Sequence, residues 1–252
     1  APGGTDTLGL FMTVNKTDGT ALGGAGMNLY PLAQSFSGNF VVRFDMYLIQ
    51  NTGCAGTTEY AMFGINASGN LTNWFRYNGD GSPGYDVDGL FFQVEADAGN
   101  LGDYVLNTSP VTTNGGIVAP TALASASATD LAAVFKSPPF SAAGPPANLS
   151  PTATPSWARV EIAQSGSLVT LTINNTRIMT ATNTTPYQAG NLFLGYADAY
   201  DSIGCNGGVI YDNVRVLVFP DFTITGVDIV AGNVEITFTA DSAGPFTVEA
   251  AT

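Results

Sequence analysis

The chain has 252 residues, with 7 Lys plus Arg against 20 Asp plus Glu, no histidine and an isoelectric point near 4.1. Histidine is the side chain that most often acts as a general base or zinc ligand near neutral pH, so its absence argues against most hydrolase, lyase and zinc chemistry. The acidic balance excludes nucleic acid as a partner, because phosphate binding needs clustered Lys and Arg. No apolar run reaches the ~20 residues of a membrane helix, and we expect no membrane insertion.

Charged residues are scarce, at 11% of the chain, while 45% of the residues are hydrophobic. This composition favours a folded core beneath a surface of Asn, Thr, Ser and backbone groups, as in many secreted proteins. The chain opens on Ala1-Pro2-Gly3-Gly4, which fits a mature protein whose signal peptide has been removed. We therefore expect a secreted, extracellular or cell-surface location.

Strand patterns dominate the chain up to residue 219. Along residues 40–48 the side chains alternate, with Val42, Phe44, Met46 and Leu48 facing one way. Asn174-Asn175 predicts a tight hairpin turn, and Thr129-Asp130 predicts the cap of a short helix over 129–136. The Pro-, Ala- and Ser-rich stretch 107–155 predicts a long surface excursion. Further strands are predicted at residues 59–66, 72–78, 89–97, 156–164, 167–174, 176–182, 191–197 and 208–219.

Pro220 marks a change in composition, and three short strands are predicted after it, at 222–230, 233–239 and 245–249. Three short strands are too few for an independent domain. The sequence therefore divides into a β-sandwich, residues 1–219, and a short C-terminal β-module or assembly strand segment, residues 220–252.

The two cysteines, Cys54 and Cys205, predict one disulfide in a secreted chain. In an antiparallel pair the sum of opposed residue numbers is constant, and the sum that pairs the cysteines also places Phe40 opposite Phe219. The strand from residue 40 and the strand ending at residue 219 are therefore predicted neighbours, with the disulfide just beyond their ends.

In jelly-roll sandwiches, strands from the beginning and the end of the chain pair side by side. The segments 190–198 and 210–216 resemble the closing strands of concanavalin A-like, or laminin G-like, sandwiches, and so does 88–94 with the Gly- and Asp-rich 96–104. The likeness is closest to secreted proteins of environmental bacteria. It implies an all-β, two-sheet antiparallel jelly-roll sandwich with a small C-terminal β appendage. This fold hosts lectins, glycosidases, lyases and adhesive modules, so it does not fix a function.

Glycosidases of this fold carry Glu-x-Asp-x-x-Glu on one strand, because retaining hydrolysis needs two carboxylates about 5 Å apart. Glu95 and Asp97 match the first two acids, but Asn100 or Gly99 stands where the third belongs. Lyases of this fold generally rely on a His/Tyr/Arg set, which a chain without histidine cannot supply. The chain is therefore expected not to be an enzyme.

Calcium is the favoured metal, because laminin G-like domains often hold one Ca²⁺ at the sandwich rim and hard cations prefer carboxylates gathered by loops. Two clusters have suitable residues. The first holds Asp198 and Asp201, and the second holds Asp80, Asp86 and Asp88. Neither is an EF-hand loop, and Asp in Gly-rich loops is also common simply as turn chemistry.

A glycan site would combine aromatic rings with amide and carboxylate groups, and Trp74, Arg76, Tyr77 and Tyr85 are the candidates. Aromatic residues on strands also fill cores, so the alternative of a packing role stays open. Seven sequons could accept N-glycans in a host that attaches them: Asn15, Asn66, Asn70, Asn107, Asn148, Asn174 and Asn183.

The favoured hypothesis is a non-catalytic structural or adhesive protein outside the cell, a filament subunit that binds other copies through its terminal strands. The alternative is a lectin-like carbohydrate-binding module, with Ca²⁺ as its cofactor and an extracellular glycan as its partner. A glycoside hydrolase is the third hypothesis. Strand pairing between copies would favour the first, and an open aromatic surface would favour the second.

Overall fold

The structure is a computed structural model that describes residues 8–14, 25–49, 59–77, 83–86, 88–95, 104–108, 121–126, 157–198, 208–219 and 222–240. These residues contain sixteen strands and no helix long and apolar enough to cross a bilayer. The strands are β1 (Leu10–Met12), β2 (Ala25–Leu29), β3 (Asn39–Ile49), β4 (Glu59–Ala67), β5 (Trp74–Tyr77), β6 (Pro83–Asp86), β7 (Leu90–Glu95), β8 (Tyr104–Thr108), β9 (Thr121–Ala126), β10 (Ala158–Ser165), β11 (Leu168–Ile173), β12 (Thr176–Thr182), β13 (Asn191–Asp198), β14 (Gly208–Phe219), β15 (Phe222–Val230) and β16 (Asn233–Ala240).

Twelve of the strands form two antiparallel six-stranded sheets. The first sheet has the order β1-β14-β3-β10-β11-β12, and the second has the order β2-β13-β4-β7-β8-β9. Two hairpins, β5-β6 and β15-β16, complete the described strands. The early strand β3 lies beside the late strand β14, as the sequence predicted, and the two-sheet antiparallel sandwich with a C-terminal β appendage is confirmed.

The main core fills the space between the sheets, and aromatic rings occupy its centre. Phe44 of β3 makes an edge contact with Phe63 of β4, with ring centroids 5.0 Å apart, and lies 5.5 Å from Tyr211 of β14. The buried Tyr211 hydroxyl lies 3.0 Å from the carbonyl oxygen of Met62 and 2.9 Å from that of Gly195, both in the second sheet. Val42 and Met46 are buried beside Phe44, which confirms the predicted inward row as far as it is described.

A β-bulge in β14 shifts the predicted register. Ile49 pairs with Gly208 and Asn39 with Phe219, so the pairing is two residues off the prediction at one end and one residue off at the other. The ladder passes from the Asp212–Asp45 pair to the Arg215–Arg43 pair, which leaves Asn213 and Val214 opposite Phe44 alone. Asn213 adopts the left-handed conformation with φ 52°, as the first residue of such a bulge often does.

The prediction of a surface excursion is wrong for residues 121–126, which form β9 at the edge of the second sheet. Small residues supply no inward apolar pattern, but their backbone groups still pair with β8. The predicted hairpin at residues 173–178 is confirmed, with φ of 49° at Asn174 and 65° at Asn175. The predicted helix 129–136, the third tail strand 245–249 and both cysteines lie outside the described residues.

Candidate functional site

Asp88, a predicted calcium ligand, is buried just before β7, where its carboxylate accepts hydrogen bonds from neighbouring loop residues. Its Oδ2 accepts the Ser68 backbone N–H at 2.7 Å, and its Oδ1 accepts the Asn73 side-chain amide at 3.2 Å. The same amide donates to the Tyr30 hydroxyl at 2.9 Å, which itself donates to the Leu71 carbonyl at 2.6 Å. Burial and then the Asp88 charge raise the pKa of Tyr30, while the hydrogen bond from Asn73 lowers it in part. Asp88 therefore has a structural function in this network.

Of the other predicted calcium ligands, only Asp198 has a described side chain, and it does not lie beside Asp88. Asp198 is buried at the far end of β13, where it pairs with Glu59, whereas Asp88 bonds to Ser68 beside the opposite end of β4. Asp86 ends β6, and Asp80 and Asp201 lie outside the described residues. Among the residues described, no three His, Cys, Asp or Glu side chains are placed to hold a metal ion. Calcium binding stays a prediction.

The face of the second sheet that points away from the main core is closed at its centre. Met62, Ala67, Phe91, Phe193 and Ala197 form a second buried apolar cluster there. Tyr30 packs on Phe193 with ring centroids 5.6 Å apart, and β5 lies against β13 and β2. The described centre of this face is consequently part of the protein interior.

The β5-β6 hairpin brings together the four residues predicted to contact a glycan. Its register pairs Trp74 with Asp86, Phe75 with Tyr85, and Tyr77 with Pro83. The side chains of this hairpin lie outside the described structure, so a glycan contact at these four residues stays a prediction.

The outer face of the first sheet, which points away from the second sheet, gathers seven charged residues. Three strands cross it with two charged rows, Arg215–Arg43–Glu161 and Asp212–Asp45–Arg159. The first row continues through Thr172 to Arg177. Four of the seven basic residues of the chain thus lie on one face with three acids, a formal charge of +1 in a chain whose net charge is −13.

These charges are held in defined positions. Arg43 Nε donates to Glu161 Oε2 at 2.6 Å, and the two side chains are 36% and 30% exposed. Asn213 at the bulge donates its side-chain amide to Asp45 Oδ2 at 2.7 Å and its backbone N–H to Asp212 Oδ1 at 2.7 Å. The Arg159 side chain is exposed and next to Asp45 in the ladder. The outer face thereby presents fixed acceptors beside a solvent-exposed donor.

An aromatic pair adjoins these rows. Tyr47 follows Asp45 by two residues on β3, and its ring lies 5.5 Å from the ring of Trp157, which precedes β10. Both residues are half-buried, and burial raises the pKa of the Tyr47 hydroxyl. We call the set Tyr47, Trp157, Asp45, Arg159 and Asn213 the outer platform.

A cleft of about 490 Å³ opens along one side of the sandwich, where the edges of the two sheets meet. Its apolar walls come from β2, β13 and β14 and from the segment after β2, and we call it the seam cleft. Its polar residues are Tyr30, Gln34 and Arg215. Its other lining residues are Leu29, Pro31, Phe36, Leu192, Leu194, Val214 and Val216.

Two of the predicted glycosylation asparagines are buried and bonded inside the fold. Asn66 donates to Gln164 Oε1 at 2.7 Å and to the Tyr187 carbonyl at 2.9 Å, and Asn183 donates to the same carbonyl at 2.7 Å. Their amide nitrogens are therefore closed to a glycan in the folded protein. Asn70 is exposed, Asn174 lies in the hairpin turn and Asn107 in β8, while Asn15 and Asn148 lie outside the described residues.

Sequence reasoning missed the outer platform because its members come from three separate parts of the chain. Alternation along β3 places Tyr47 on the face opposite Phe44 and Met46, and alternation along β10 does the same for Trp157 relative to Ala158. Both orientations could be predicted from the sequence. The pairing of Ala158 with Met46, which brings the rings together, is not encoded in any local pattern.

No family model matches the sequence, and no curated protein matches it. Similar solved structures include the carbohydrate-binding module CBM66 from Bacillus subtilis, at 13% identity over 83% of this chain and 91% of that one, with a TM-score of 0.40. The lumenal domain of VIP36 in a form bound to Ca²⁺ and Man3GlcNAc is 10% identical over 84% and 82%, at 0.45. The alginate lyase AlyA1 from Zobellia galactanivorans is 13% identical over 74% and 65%, at 0.35. The likeness is one of jelly-roll sandwich architecture and does not distinguish binding from catalysis.

Proposed function

We propose that the protein is a non-catalytic, extracellular carbohydrate-binding module that holds glycans on the outer platform. The observation that carries this proposal is the Tyr47–Trp157 ring pair, 5.5 Å between centroids, directly beside the fixed Asp45, Asn213 and exposed Arg159. An aromatic ring offers a flat apolar surface that fits the C–H face of a sugar ring, and it is preorganised because it has few rotatable bonds.

The polar members of the platform complement the hydroxyl groups of a sugar. The exposed guanidinium of Arg159 donates hydrogen bonds in a fixed fork, and the half-buried side-chain amide of Asn213 offers a carbonyl acceptor. Because the buried Asp45 already holds the Asn213 side chain at 2.7 Å, little ordering is needed when a glycan binds.

A binding role agrees better with the acids of this face than catalysis does. Glu161 accepts a hydrogen bond from Arg43, and Asp45 and Asp212 accept them from Asn213. Glycoside hydrolysis needs two carboxyl groups that reach the scissile bond, and Asp45 is only 5% exposed. The motif with Glu95 and Asp97 likewise lacks its third acid, with Asn100 in its place.

The test is an array of plant, algal and bacterial polysaccharides, followed by titration of the polysaccharide that gives the strongest signal. Trp157→Ala should raise Kd about 30-fold, as expected for the loss of ~2 kcal/mol at a central aromatic contact. Arg159→Gln should raise it about tenfold. Arg177→Gln removes the same charge from the same sheet two strands away and is the matched control, with no change expected.

Thermal melting of each variant separates loss of binding from loss of folding. The proposal fails if no polysaccharide binds, or if one binds and the folded Trp157→Ala and Arg159→Gln variants keep the affinity of the unaltered protein.

The assembly role expected from the sequence is a second candidate, favoured by a different observation. The β15-β16 hairpin exposes apolar side chains on one face, among them Val227 at 64% and Ile229 at 71%. A soluble protein rarely leaves such a row uncovered, and contiguous apolar patches mark interaction surfaces. Concentration-dependent self-association, measured by sedimentation velocity, is the test of this role.

A further inference from the structure

An aromatic residue of β1 extends the outer platform. Phe11 pairs with Ile210 of β14 in the β-ladder, and Ile210 in turn pairs with Tyr47 of β3. The next residue, Met12, is buried in the core, so alternation along β1 directs Phe11 to the outer face of the sheet, where it is 45% exposed. Phe11 therefore lies in the same cross-strand row as the Tyr47–Trp157 ring pair.

Two glycines allow the rings of this row to lie close against the sheet. A Cβ at Gly208 would lie 2.6 Å from Cε2 of the Phe11 ring, which is well inside the normal carbon–carbon contact distance. A Cβ at Gly9, just before β1, would lie 3.7 Å from Cη2 of Trp157. Because Trp157 precedes β10, which is separated from β1 by β14 and β3, its indole must extend along the face to reach this point. The indole therefore lies along the outer face rather than standing up from it.

The extended aromatic row has the length and direction of the polar row beside it. From Trp157 to Phe11 the aromatic row crosses three strand spacings, or roughly 14 Å at ~4.8 Å per spacing. The polar row Asp212–Asp45–Arg159 runs parallel to it, two residues further along the same strands. Aromatic faces fit the C–H faces of sugars, and polar groups fit their hydroxyl groups. A single sugar ring, which is about as large as one tyrosine ring, would cover only part of these two rows.

We propose that Phe11 is a further glycan contact and that the ligand is an extended chain of several sugars, bound across the strands along the row from Phe11 to Trp157. This inference rests on the proposed carbohydrate-binding function and names its ligand class. A chain long enough to touch both ends of the row makes the second contact within the same complex, so it gains affinity without a second association. An oligosaccharide too short to span the row should contact Tyr47 and Trp157 and leave Phe11 uncovered.

The experiment titrates the full chain with size-fractionated fragments of the polysaccharide selected on the array, from disaccharide to hexasaccharide, by isothermal titration calorimetry. For the unaltered protein, the hexasaccharide should bind about tenfold more tightly than the disaccharide. Phe11→Ala should raise the Kd of the hexasaccharide about tenfold and leave that of the disaccharide unchanged. Trp157→Ala should raise the Kd of both fragments.

Phe219→Ala is the matched control for Phe11→Ala. Phe219 is 49% exposed and pairs with Asn39, which lies an even number of residues before Tyr47 on β3 and therefore on the same face. The row is roughly 27 Å from this pair at ~3.4 Å per residue, so the control should leave every Kd unchanged. Phe11→Leu keeps an apolar side chain over Gly208 but removes the flat ring, and it should also weaken hexasaccharide binding. Thermal melting of each variant checks that it is folded.

The possible results separate the extended row from the proposed function itself. If no polysaccharide binds, both fail. If a polysaccharide binds and Trp157→Ala weakens binding, but the folded Phe11→Ala and Phe11→Leu variants bind like Phe219→Ala, the outer platform stands and the extended row is wrong. A hexasaccharide that binds no more tightly than the disaccharide likewise overturns the extended ligand and leaves the platform in place.

Discussion

Asn213 is the residue on which the geometry of the outer platform depends most. It adopts φ 52° at the β14 bulge, and its side-chain amide donates to Asp45 Oδ2 at 2.7 Å. Asp45 is only 5% exposed, so this donor is not easily replaced by water. Replacing Asn213 therefore removes two separate contributions, the tolerance of Asn for a left-handed backbone and a hydrogen bond to a buried carboxylate.

The two contributions can be separated with two variants. Asn213→Gly keeps the backbone conformation accessible and loses the hydrogen bond, which costs ~1.5–3 kcal/mol for a bond to a charged group. Asn213→Ala loses the bond and also forces an L-residue with a Cβ into the left-handed region, for ~1 kcal/mol more. At 2–4 °C per kcal/mol for a chain of this size, Asn213→Ala should lower Tm by about 5–16 °C.

The assay is urea unfolding followed by circular dichroism, with Tm from thermal melts of the same samples. The expected order of stability is the unaltered protein, then Asn213→Gly, then Asn213→Ala. A Gly variant as stable as the unaltered protein would refute the importance of the hydrogen bond to Asp45. Equal stability of the Gly and Ala variants would refute the left-handed bulge.

Three further predictions concern the sandwich itself. Gln164→Ala should lower the free energy of unfolding in urea by ~2–4 kcal/mol, because the buried Gln164 side chain makes three hydrogen bonds. It accepts one from Asn66 at 2.7 Å and donates to the carbonyls of Gly38 and Gln188. The control Gln34→Ala, at an exposed residue, should leave the free energy of unfolding unchanged. Burial raises the pKa of Tyr211 above its ordinary 10.0. The contribution of this residue to the free energy of unfolding should therefore be fully present below about pH 10 and decrease as the pH rises further. A melting temperature that stays constant up to about pH 12 would contradict this. A reducing agent should lower the unfolding free energy by up to roughly 5 kcal/mol if Cys54 and Cys205 are joined, and a Cys54→Ser, Cys205→Ser variant should not respond to it.

The fold was predictable from the sequence to the extent that its signals are local. Alternation predicted β3, the Asn174-Asn175 turn predicted the β11-β12 hairpin, and cysteine spacing placed β3 beside β14. The bulge at Asn213 accounts for one residue of the register error, and a single left-handed asparagine has no distinctive neighbourhood in sequence. β9 was not predicted, because its small residues pair through their backbone groups and show no alternation of apolar and polar side chains.

The candidate site was predictable only in its chemistry. An aromatic surface beside amides and carboxylates was expected at Trp74, Arg76, Tyr77 and Tyr85, whose side chains lie outside the described structure. The set found in the structure joins residues more than 100 positions apart, such as Tyr47 and Trp157. Such a set depends on which strands become neighbours in the sheet, and that is decided by packing across the whole core.

The sequence has two tryptophans, one in each of these competing surfaces, Trp157 on the outer platform and Trp74 on the β5-β6 hairpin. Tryptophan fluorescence during polysaccharide titration of Trp74→Phe and Trp157→Phe variants therefore reports on each surface separately. The platform predicts that emission changes in the Trp74→Phe variant, where Trp157 is the reporter, and stays constant in the Trp157→Phe variant. A change confined to Trp74 would place the glycan on the hairpin and contradict the account.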